Sequence, residues 1–238
     1  MIVQRLYIWL TRNFWLLFLF IILPSAGMSK PLKNMNPLDL YSNDIMFNVI
    51  RDDEIIGRHL VTFSRIENDK IRVKARLNLQ VNFLSFPIYK FDYRSEAVWH
   101  KGKLKNLYSN QNDDGDKVSV KVFEDNDSLV IKTQDTEIRT NLDAIPTNHW
   151  NVKVLEKRQV INTLTGELSS VVITGFGKEK IKAHGKLIFA NKYKYTGDIH
   201  ALVWYSDAGN WVKMQFEGKD GSTIKYECVE CGLKSTTG

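Results

Sequence analysis

The sequence predicts an all-β protein: an antiparallel meander that curls into an open or incomplete β-barrel, with at most one or two short helices. Three observations lead to this fold class. From Ile71 to Phe83, apolar and polar residues alternate at every position, which is the period of a strand with one dry and one wet face. Turn signals rich in Asp, Asn and Gly recur along the chain. Between them lie runs of β-branched and aromatic residues, which favour strands.

Taken in order, these runs predict fourteen strands that are joined mainly by hairpin turns. They cover residues 45–51, 55–65, 71–83, 88–99, 104–109, 118–123, 129–133, 137–140, 159–162, 168–176, 187–195, 199–205, 211–217 and 223–228. Residues 146–157 break the rhythm, because Pro146 and Asn148 are typical of a helix start, and they predict a short helix that ends near Lys157.

Charge predicts the register between the third and fourth strands. If their connecting loop centres on Phe86, Arg76 lies opposite Glu96, and opposite charges across a strand pair are favourable. A pairing shifted by two residues would place Arg76 opposite Arg94 instead. We therefore predict an Arg76–Glu96 pair.

The first 27 residues predict an export signal. Arg5 and Arg12 give a positive leading region, residues 14–23 are all apolar, and Pro24 with the small residues 25–27 resembles a cleavage site. Ten apolar residues are fewer than the about 20 that a membrane-spanning helix needs. We therefore expect a soluble periplasmic protein with no stable transmembrane span after cleavage. The alternative is a protein anchored to the inner membrane through an uncleaved N-terminus.

The remaining chain of about 210 residues is long enough for one β core and has no low-complexity segment. We expect a flexible leader over residues 28–43, a single antiparallel β domain over residues 44–231, and a loose C-terminal tail over residues 232–238.

The charge pattern disfavours a nucleic-acid partner. Residues 1–27 contain two arginines and no acidic residue, so the net charge of +6 falls to +4 after cleavage. Basic and acidic residues alternate, as in Lys90, Asp92, Arg94 and Glu96, which is typical of a solvated sheet face.

Six short motifs span nearly the whole mature chain in a fixed order. They are Ile56-Gly57-Arg58-His59 followed by Val61 and Phe63, Glu96-x-x-Trp99-x-x-Gly102-x-Leu104, His149-Trp150-Asn151, Leu164-Thr165-Gly166, Trp204-Tyr205-x-Asp207-x-Gly209-x-Trp211, and Asp220-Gly221-Ser222-x-Ile224-x-Tyr226. In their order and spacing the chain resembles an uncharacterised family of exported proteobacterial β proteins, a domain of unknown function. This resemblance implies no activity, substrate or cofactor.

The expected architecture is also similar to that of periplasmic lipoprotein carriers, whose unclosed β-barrel shelters acyl chains. The chain departs from those carriers because it has no clear amphipathic lid helices. This similarity concerns the fold, and fold alone supports function weakly.

Bulky aromatic residues are the candidates for a hydrophobic ligand site, since they offer wide apolar surfaces with polar tips. They are Tyr89, Phe91, Tyr93, Trp99, Trp150, Trp204, Tyr205 and Trp211. For any one of them the alternative is an ordinary core position. Together, on a curled sheet with few helices to cover it, they either fill the interior or line a groove.

Cys228 and Cys231 predict a local disulfide in an oxidising compartment. Redox catalysis would need the first cysteine at a helix N-terminus, whereas this pair follows a strand. A zinc site would need two further ligands, and no histidine pair has metal-binding spacing.

The remaining polar candidates are His59, Glu96, His149 and Asp207. The sequence has no G-x-S-x-G elbow and no phosphate-binding Walker loop, so we predict no catalytic residue, no metal and no cofactor. A hydrolase would require a cleft in which His59, His149 or Asp207 converges on another polar group.

Three functional hypotheses follow. The first is a non-enzymatic periplasmic protein whose concave apolar face binds a lipidic or other hydrophobic ligand. The second is a structural or partner-binding cell-envelope protein with a filled core, which acts through its edges and loops. The third is an unrecognised hydrolase. An open apolar groove, a filled core with a surface apolar patch, or a polar cleft would distinguish them.

Overall fold

The computed structural model describes residues 36–234, in which fourteen antiparallel strands form one sheet. The strands are β1 (Ile45–Arg51), β2 (Glu54–Arg65), β3 (Lys70–Phe83), β4 (Phe86–His100), β5 (Lys103–Asp113), β6 (Asp116–Asp125), β7 (Ser128–Lys132), β8 (Glu137–Asn141), β9 (Gln159–Ile161), β10 (Leu168–Ala183), β11 (Lys186–Gly197), β12 (Ala201–Tyr205), β13 (Trp211–Glu217) and β14 (Thr223–Cys231). A single helical turn, α1 (Pro37–Leu40), precedes them, and a 3-10 helix (Val152–Glu156) lies between β8 and β9.

The strands follow one another around the sheet in the order β8 to β1 and then β14 to β9, so β8 and β9 are the two edges. The predicted all-β class and antiparallel meander are confirmed, and the sheet is not closed. Within the sheet β1 pairs with β14, so the first and last strands of the chain lie side by side.

The predicted short helix is confirmed as the 3-10 helix. The Asn151 side chain caps its start by accepting a hydrogen bond from the Lys153 amide at 3.2 Å, and the helix ends before Lys157.

The predicted Arg76–Glu96 register is wrong by two residues. Arg76 lies opposite Arg94, and Glu96 lies opposite Lys74. The reason is the turn, which consists of two residues at positions 84 and 85 and is followed by a bulge, whereas we centred the loop on Phe86. A cross-strand charge pair contributes only about 0.2–1 kcal/mol, so turn geometry and packing decide the register.

The long connection from β8 to β9 fills the concave side of the sheet. The Trp150 ring meets the rings of Trp99 and Phe63 edge-on, at centroid distances of 5.3 and 5.6 Å. The Trp150 carbonyl accepts a hydrogen bond of 2.8 Å from the Tyr41 hydroxyl. Trp150, Trp99 and Tyr41 are all buried, so the connection forms part of the hydrophobic core.

Both ends of the described chain are held more firmly than we expected. The segment 36–43, which we placed in a flexible leader, contains α1 and the buried Tyr41. Gly232, which we placed in a loose tail, is buried, and its carbonyl accepts a hydrogen bond from the Ser42 amide at 2.9 Å. The two segments therefore fix each other.

The predicted export signal at residues 1–27 lies outside the described residues and stays a prediction. Between residues 36 and 234, no helix is long and apolar enough to cross a membrane.

Candidate functional site

Six of the eight aromatic residues that we assigned to a ligand site are core residues, each at most 5% exposed. They are Tyr93, Trp99, Trp150, Trp204, Tyr205 and Trp211. Only Tyr89 and Phe91 are half-buried. The ligand-binding role of the eight residues stays a prediction. In the structure these six residues pack the core.

Trp204 lies on the opposite face of the sheet from its neighbour Tyr205, because successive strand residues alternate in direction. Its indole N–H donates a 2.7 Å hydrogen bond to Glu179 Oε1 on β10, and the Lys213 ammonium lies 4.6 Å from the ring centroid. Trp204 thus holds the β10–β11 hairpin against the outer side of the sheet and cannot share an interior site with Tyr205.

His59 and His149 come together in the interior around Trp211. Their ring centroids lie 5.5 and 5.4 Å from that of Trp211. His59 also meets Tyr226 edge-on at 5.5 Å, and His149 meets Tyr195 at 5.6 Å. The two histidines are therefore part of an aromatic cluster.

Burial and, to a smaller extent, the neighbouring His149 lower the pKa of His59 to about 3. Burial also lowers the pKa of His149 to about 4. Both rings are therefore neutral at pH 7. Among the described residues, neither ring nitrogen of His59 has a hydrogen-bond partner. A general base needs a pKa near the working pH and a substrate within hydrogen-bond reach, so this pair is suited to packing.

Glu96 lies on the outer face, where its carboxylate pairs with Arg72 Nε at 2.8 Å and Lys74 Nζ at 3.2 Å. Asp207 lies in an exposed turn and pairs with Lys178 Nζ at 2.7 Å. Hydrogen bonds from Lys178 and then Asn191 hold the pKa of Asp207 below its usual value. Within residues 36–234, no hydrogen bond or ion pair joins either carboxylate to His59 or His149, so the two carboxylates do not form a site with the two histidines.

The two best-formed depressions on the described surface do not resemble an apolar ligand pocket. The larger, of about 430 Å³, lies over β2–β4 and is lined mainly by polar side chains such as Asn78, Gln80, Lys90 and Asp92. The smaller, of about 130 Å³, lies beside Trp99 and the 3-10 helix.

Cys228 and Cys231 are joined by a disulfide, with their Cα atoms 5.9 Å apart. In the described part of the chain, no group of three or more His, Cys, Asp or Glu side chains is placed to hold a metal ion.

The most unusual surface is one that the sequence reasoning did not select. Phe83, Leu84, Phe86 and Ile88, which we call the apolar tip, surround the turn between β3 and β4. Their exposed fractions are 64%, 79%, 73% and 59%.

The tip is exposed because its hairpin is longer than its neighbours. β2 pairs with β3 only as far as Leu79, and β5 pairs with β4 only from Phe91 onward. Residues 80–90 therefore project beyond both flanking strands, and no neighbouring strand covers their apolar side chains.

The backbone of the tip is also unusual. Leu84 and Ser85 both have positive φ, at 48° and 70°. Such a turn favours Asn-Gly or Asp-Gly, as at Asp114-Gly115 between β5 and β6, where both residues also have positive φ. A leucine in the left-handed region costs about 1–2 kcal/mol, and here it is also exposed. Strain of this kind, combined with exposed apolar surface, is typical of a functional position.

An apolar strip connects the core with the tip along one face of the hairpin. Leu79 lies opposite Phe91, and Val81 lies opposite Tyr89. All four are half-buried. Of the predicted ligand residues, Tyr89 and Phe91 are therefore the two that belong to this exposed region.

Polar contacts fix the base of the hairpin. The Tyr89 hydroxyl donates a 2.7 Å hydrogen bond to Asp113 Oδ1, and Lys219 Nζ lies 2.9 Å from Asp113 Oδ2. The hydrogen bonds from Lys219 and then Tyr89 lower the pKa of Asp113. These contacts connect the β3–β4 hairpin with the turn before β6 and the turn before β14. They fix the base of the hairpin, and the apolar tip lies at its far end.

One signal in the sequence points to this site. Residues 83–86 read Phe-Leu-Ser-Phe, so the turn contains none of the Asp, Asn or Gly residues that mark the turns on either side.

The comparisons with known proteins agree with this fold. A crystal structure described as a β-barrel-like protein of domain of unknown function DUF1849, from Brucella abortus, superposes with a TM-score of 0.56 at 11% sequence identity. The match covers 80% of this chain and 97% of that one. At this identity it supports the fold alone. A search of curated proteins finds no match to the chain. A family described as a domain of unknown function, DUF6134, matches residues 47–229. This match confirms the predicted resemblance to an uncharacterised family, and the chain belongs to DUF6134.

Proposed function

We propose that this chain is an exported, non-enzymatic cell-envelope protein that binds a partner protein through the apolar tip. The observation that carries the proposal is four large apolar side chains held more than half exposed at the end of an anchored hairpin. Export is supported by the signal-like residues 1–27 and by the Cys228–Cys231 disulfide, since disulfides persist in oxidising compartments.

The packing of the interior favours a surface function. Trp99, Trp150 and Trp211 are each at most 3% exposed, and the β8–β9 connection occupies the concave side against them. A ligand the size of an acyl chain would have to displace these rings. The alternative of a filled core with a surface apolar patch therefore fits better than a hollow carrier.

The size of the tip also favours a binding role. Its four side chains expose on the order of 500 Å² of apolar area, which lies among the largest patches of ordinary monomers. Complementary burial of that surface would contribute roughly 12 kcal/mol at about 25 cal/mol per Å², before the entropic cost of association. That is enough for a specific contact centred on Phe83 and Phe86.

A lipidic ligand is the second candidate, and one observation favours it. The strip formed by Leu79, Val81, Tyr89 and Phe91 is half-buried, so an acyl chain lying along it would gain contact without displacing the core. In this form the ligand site is the β3–β4 hairpin and not the whole concave face.

Site-specific photo-crosslinking in the native host tests the proposal. A benzophenone amino acid replaces Leu84 in one strain and Val172, which is 63% exposed on β10, in a control strain. We expect a discrete protein adduct at position 84 and none of the same mass at position 172. Adding Phe83→Ser and Phe86→Ser should abolish the adduct at position 84.

Identical adducts at both positions, or no protein adduct at position 84, would contradict partner binding. An adduct of lipid mass at position 84 would support the second candidate instead. An adduct of twice the mass of the chain would identify the partner as a second copy.

A further inference from the structure

The distal half of the β10–β11 hairpin carries a second exposed apolar surface, in which lysines are interleaved. Beyond a register shift near Gly175, Lys180 lies opposite Phe189 and Lys182 lies opposite Leu187. These four side chains share one face of the ribbon, which we call the basic face. Phe189 and Leu187 are 63% and 65% exposed.

The other face of this ribbon is fixed to the sheet. Ile181, Ala183 and Ala190 are each at most 5% exposed. The amide of His184, in the turn, donates a 3.0 Å hydrogen bond to the carbonyl of Cys228. Because strand residues alternate between faces, this anchoring makes the basic face point outward.

The charge of the β10–β11 hairpin is strongly positive. Residues 178–194 contain six lysines and one acidic residue, Glu179. Lys178 pairs with Asp207 and Lys192 with Glu179. Lys180 and Lys182 pair with no carboxylate within residues 36–234. The basic face is therefore cationic and apolar at the same time.

We propose that the basic face docks onto an anionic lipid bilayer. Lys180 and Lys182 contact headgroup phosphates, while Leu187 and Phe189 enter the boundary between headgroups and acyl chains. Interfacial binding of this kind combines buried apolar area with attraction to anionic lipids, and lysine stems lie along apolar surface while their ammonium groups stay in water. The interleaving of lysines with Leu187 and Phe189 matches the two layers of an anionic bilayer surface, charged headgroups above apolar chains.

This surface is independent of the apolar tip. Neighbouring strands alternate in direction across the sheet, so the β3–β4 turn and the β10–β11 turn lie at opposite ends of the strands. The surroundings differ as well, since acidic residues such as Asp92, Asp113 and Asp116 lie on the strands next to the tip.

Vesicle flotation tests the proposal. The probe is a vesicle of phosphatidylglycerol and phosphatidylcholine, with pure phosphatidylcholine vesicles in parallel. The protein is the chain purified in the form in which it accumulates in its host. Every variant keeps the same N-terminus, so differences between variants report the hairpin.

Two double variants probe the two components of the basic face. Lys180→Gln with Lys182→Gln should weaken partitioning into the anionic vesicles roughly thirtyfold, since each lysine near such a surface contributes about fivefold. Leu187→Ser with Phe189→Ser should weaken it at least tenfold without changing the net charge. Circular dichroism and the melting temperature of each variant check that the fold is retained.

The matched control is Lys117→Gln with Lys121→Gln, which removes the same charge from exposed positions of β6. It should leave partitioning within twofold of that of the unaltered chain. Equal loss in this control, or no binding to anionic vesicles, would overturn the proposal. Loss in the lysine variant with none in the Leu187/Phe189 variant would overturn it too, because it would show electrostatic adsorption without entry of the apolar side chains.

Discussion

Acid should destabilise this protein well above the pH at which its carboxylates titrate, because of His59 and His149. In the unfolded chain both have pKa values near 6.5. In the folded chain burial lowers the pKa to about 3 for His59 and about 4 for His149. The folded state therefore binds fewer protons than the unfolded state. The free energy of unfolding is then highest above pH 6.5, and it decreases as the pH falls towards the pKa values of the two histidines in the folded chain.

The magnitude follows from these pKa values. Below pH 6.5 each histidine reduces the free energy of unfolding by about 1.4 kcal/mol per pH unit, or about 2 kcal/mol at pH 5. The two together give about 4 kcal/mol, a large part of the 5–15 kcal/mol that is usual for a domain. At pH 5 paired carboxylates such as Asp113 and Asp207 are still ionised, because their pKa values are lowered.

Urea unfolding at pH 7.5 and pH 5.0 measures this effect. The difference between the two pH values should be about 4 kcal/mol for the unaltered chain and about 2 kcal/mol for His59→Phe or His149→Phe. His200→Gln, at an exposed position, is the control and should keep the full difference. An unchanged pH dependence in both phenylalanine variants would refute the assignment of buried neutral imidazoles.

Three further predictions concern the fold and the tip. Replacing Leu84-Ser85 by Asn-Gly should raise the free energy of unfolding by about 1 kcal/mol in thermal melts, because Asn and Gly tolerate positive φ. The same replacement should abolish the crosslinking that depends on the apolar tip. A lower melting temperature would contradict this interpretation of the turn. Gly57→Ala should destabilise the protein by more than about 2 kcal/mol, because its Cβ would overlap the Asn78 carbonyl oxygen. The control Gly175→Ala has its nearest contact at 3.8 Å, and equal losses for the two variants would count against the clash. Trp150→Ala should lower the free energy of unfolding by roughly 3–5 kcal/mol in urea titrations, and a loss below about 1 kcal/mol would show that the connection does not pack the core.

The strands could be predicted from the sequence because each rests on a local pattern. The alternation in residues 71–83 appears in the structure as β3, with buried residues at every second position over its first half. A strand was predicted too short where the sequence stays apolar through the turn. The fourth strand was predicted to begin at residue 88, and β4 begins at Phe86. The register of β3 on β4 could not be predicted, because it depends on a two-residue turn and neither Leu84 nor Ser85 is typical of such a turn.

The site was harder to predict than the fold for a physical reason. A tryptophan that packs a core and one that lines a groove have the same local pattern, and only the path of residues 142–158 across the concave side separates them. Exposure of Phe83 and Phe86 depends on where β2 and β5 stop pairing. That is a property of neighbouring strands and not of the hairpin's own sequence.

Native mass spectrometry of the chain purified from its own host tests the central claim most directly, which is that the interior is filled and function lies on the surface. We expect the mass of the polypeptide with its Cys228–Cys231 disulfide and no bound lipid under conditions that preserve noncovalent complexes. A lipid adduct at near one-to-one stoichiometry that survives Phe83→Ser with Phe86→Ser, and also Leu187→Ser with Phe189→Ser, would contradict the account. With the apolar side chains of both exposed surfaces removed, such an adduct would place the ligand inside the sheet.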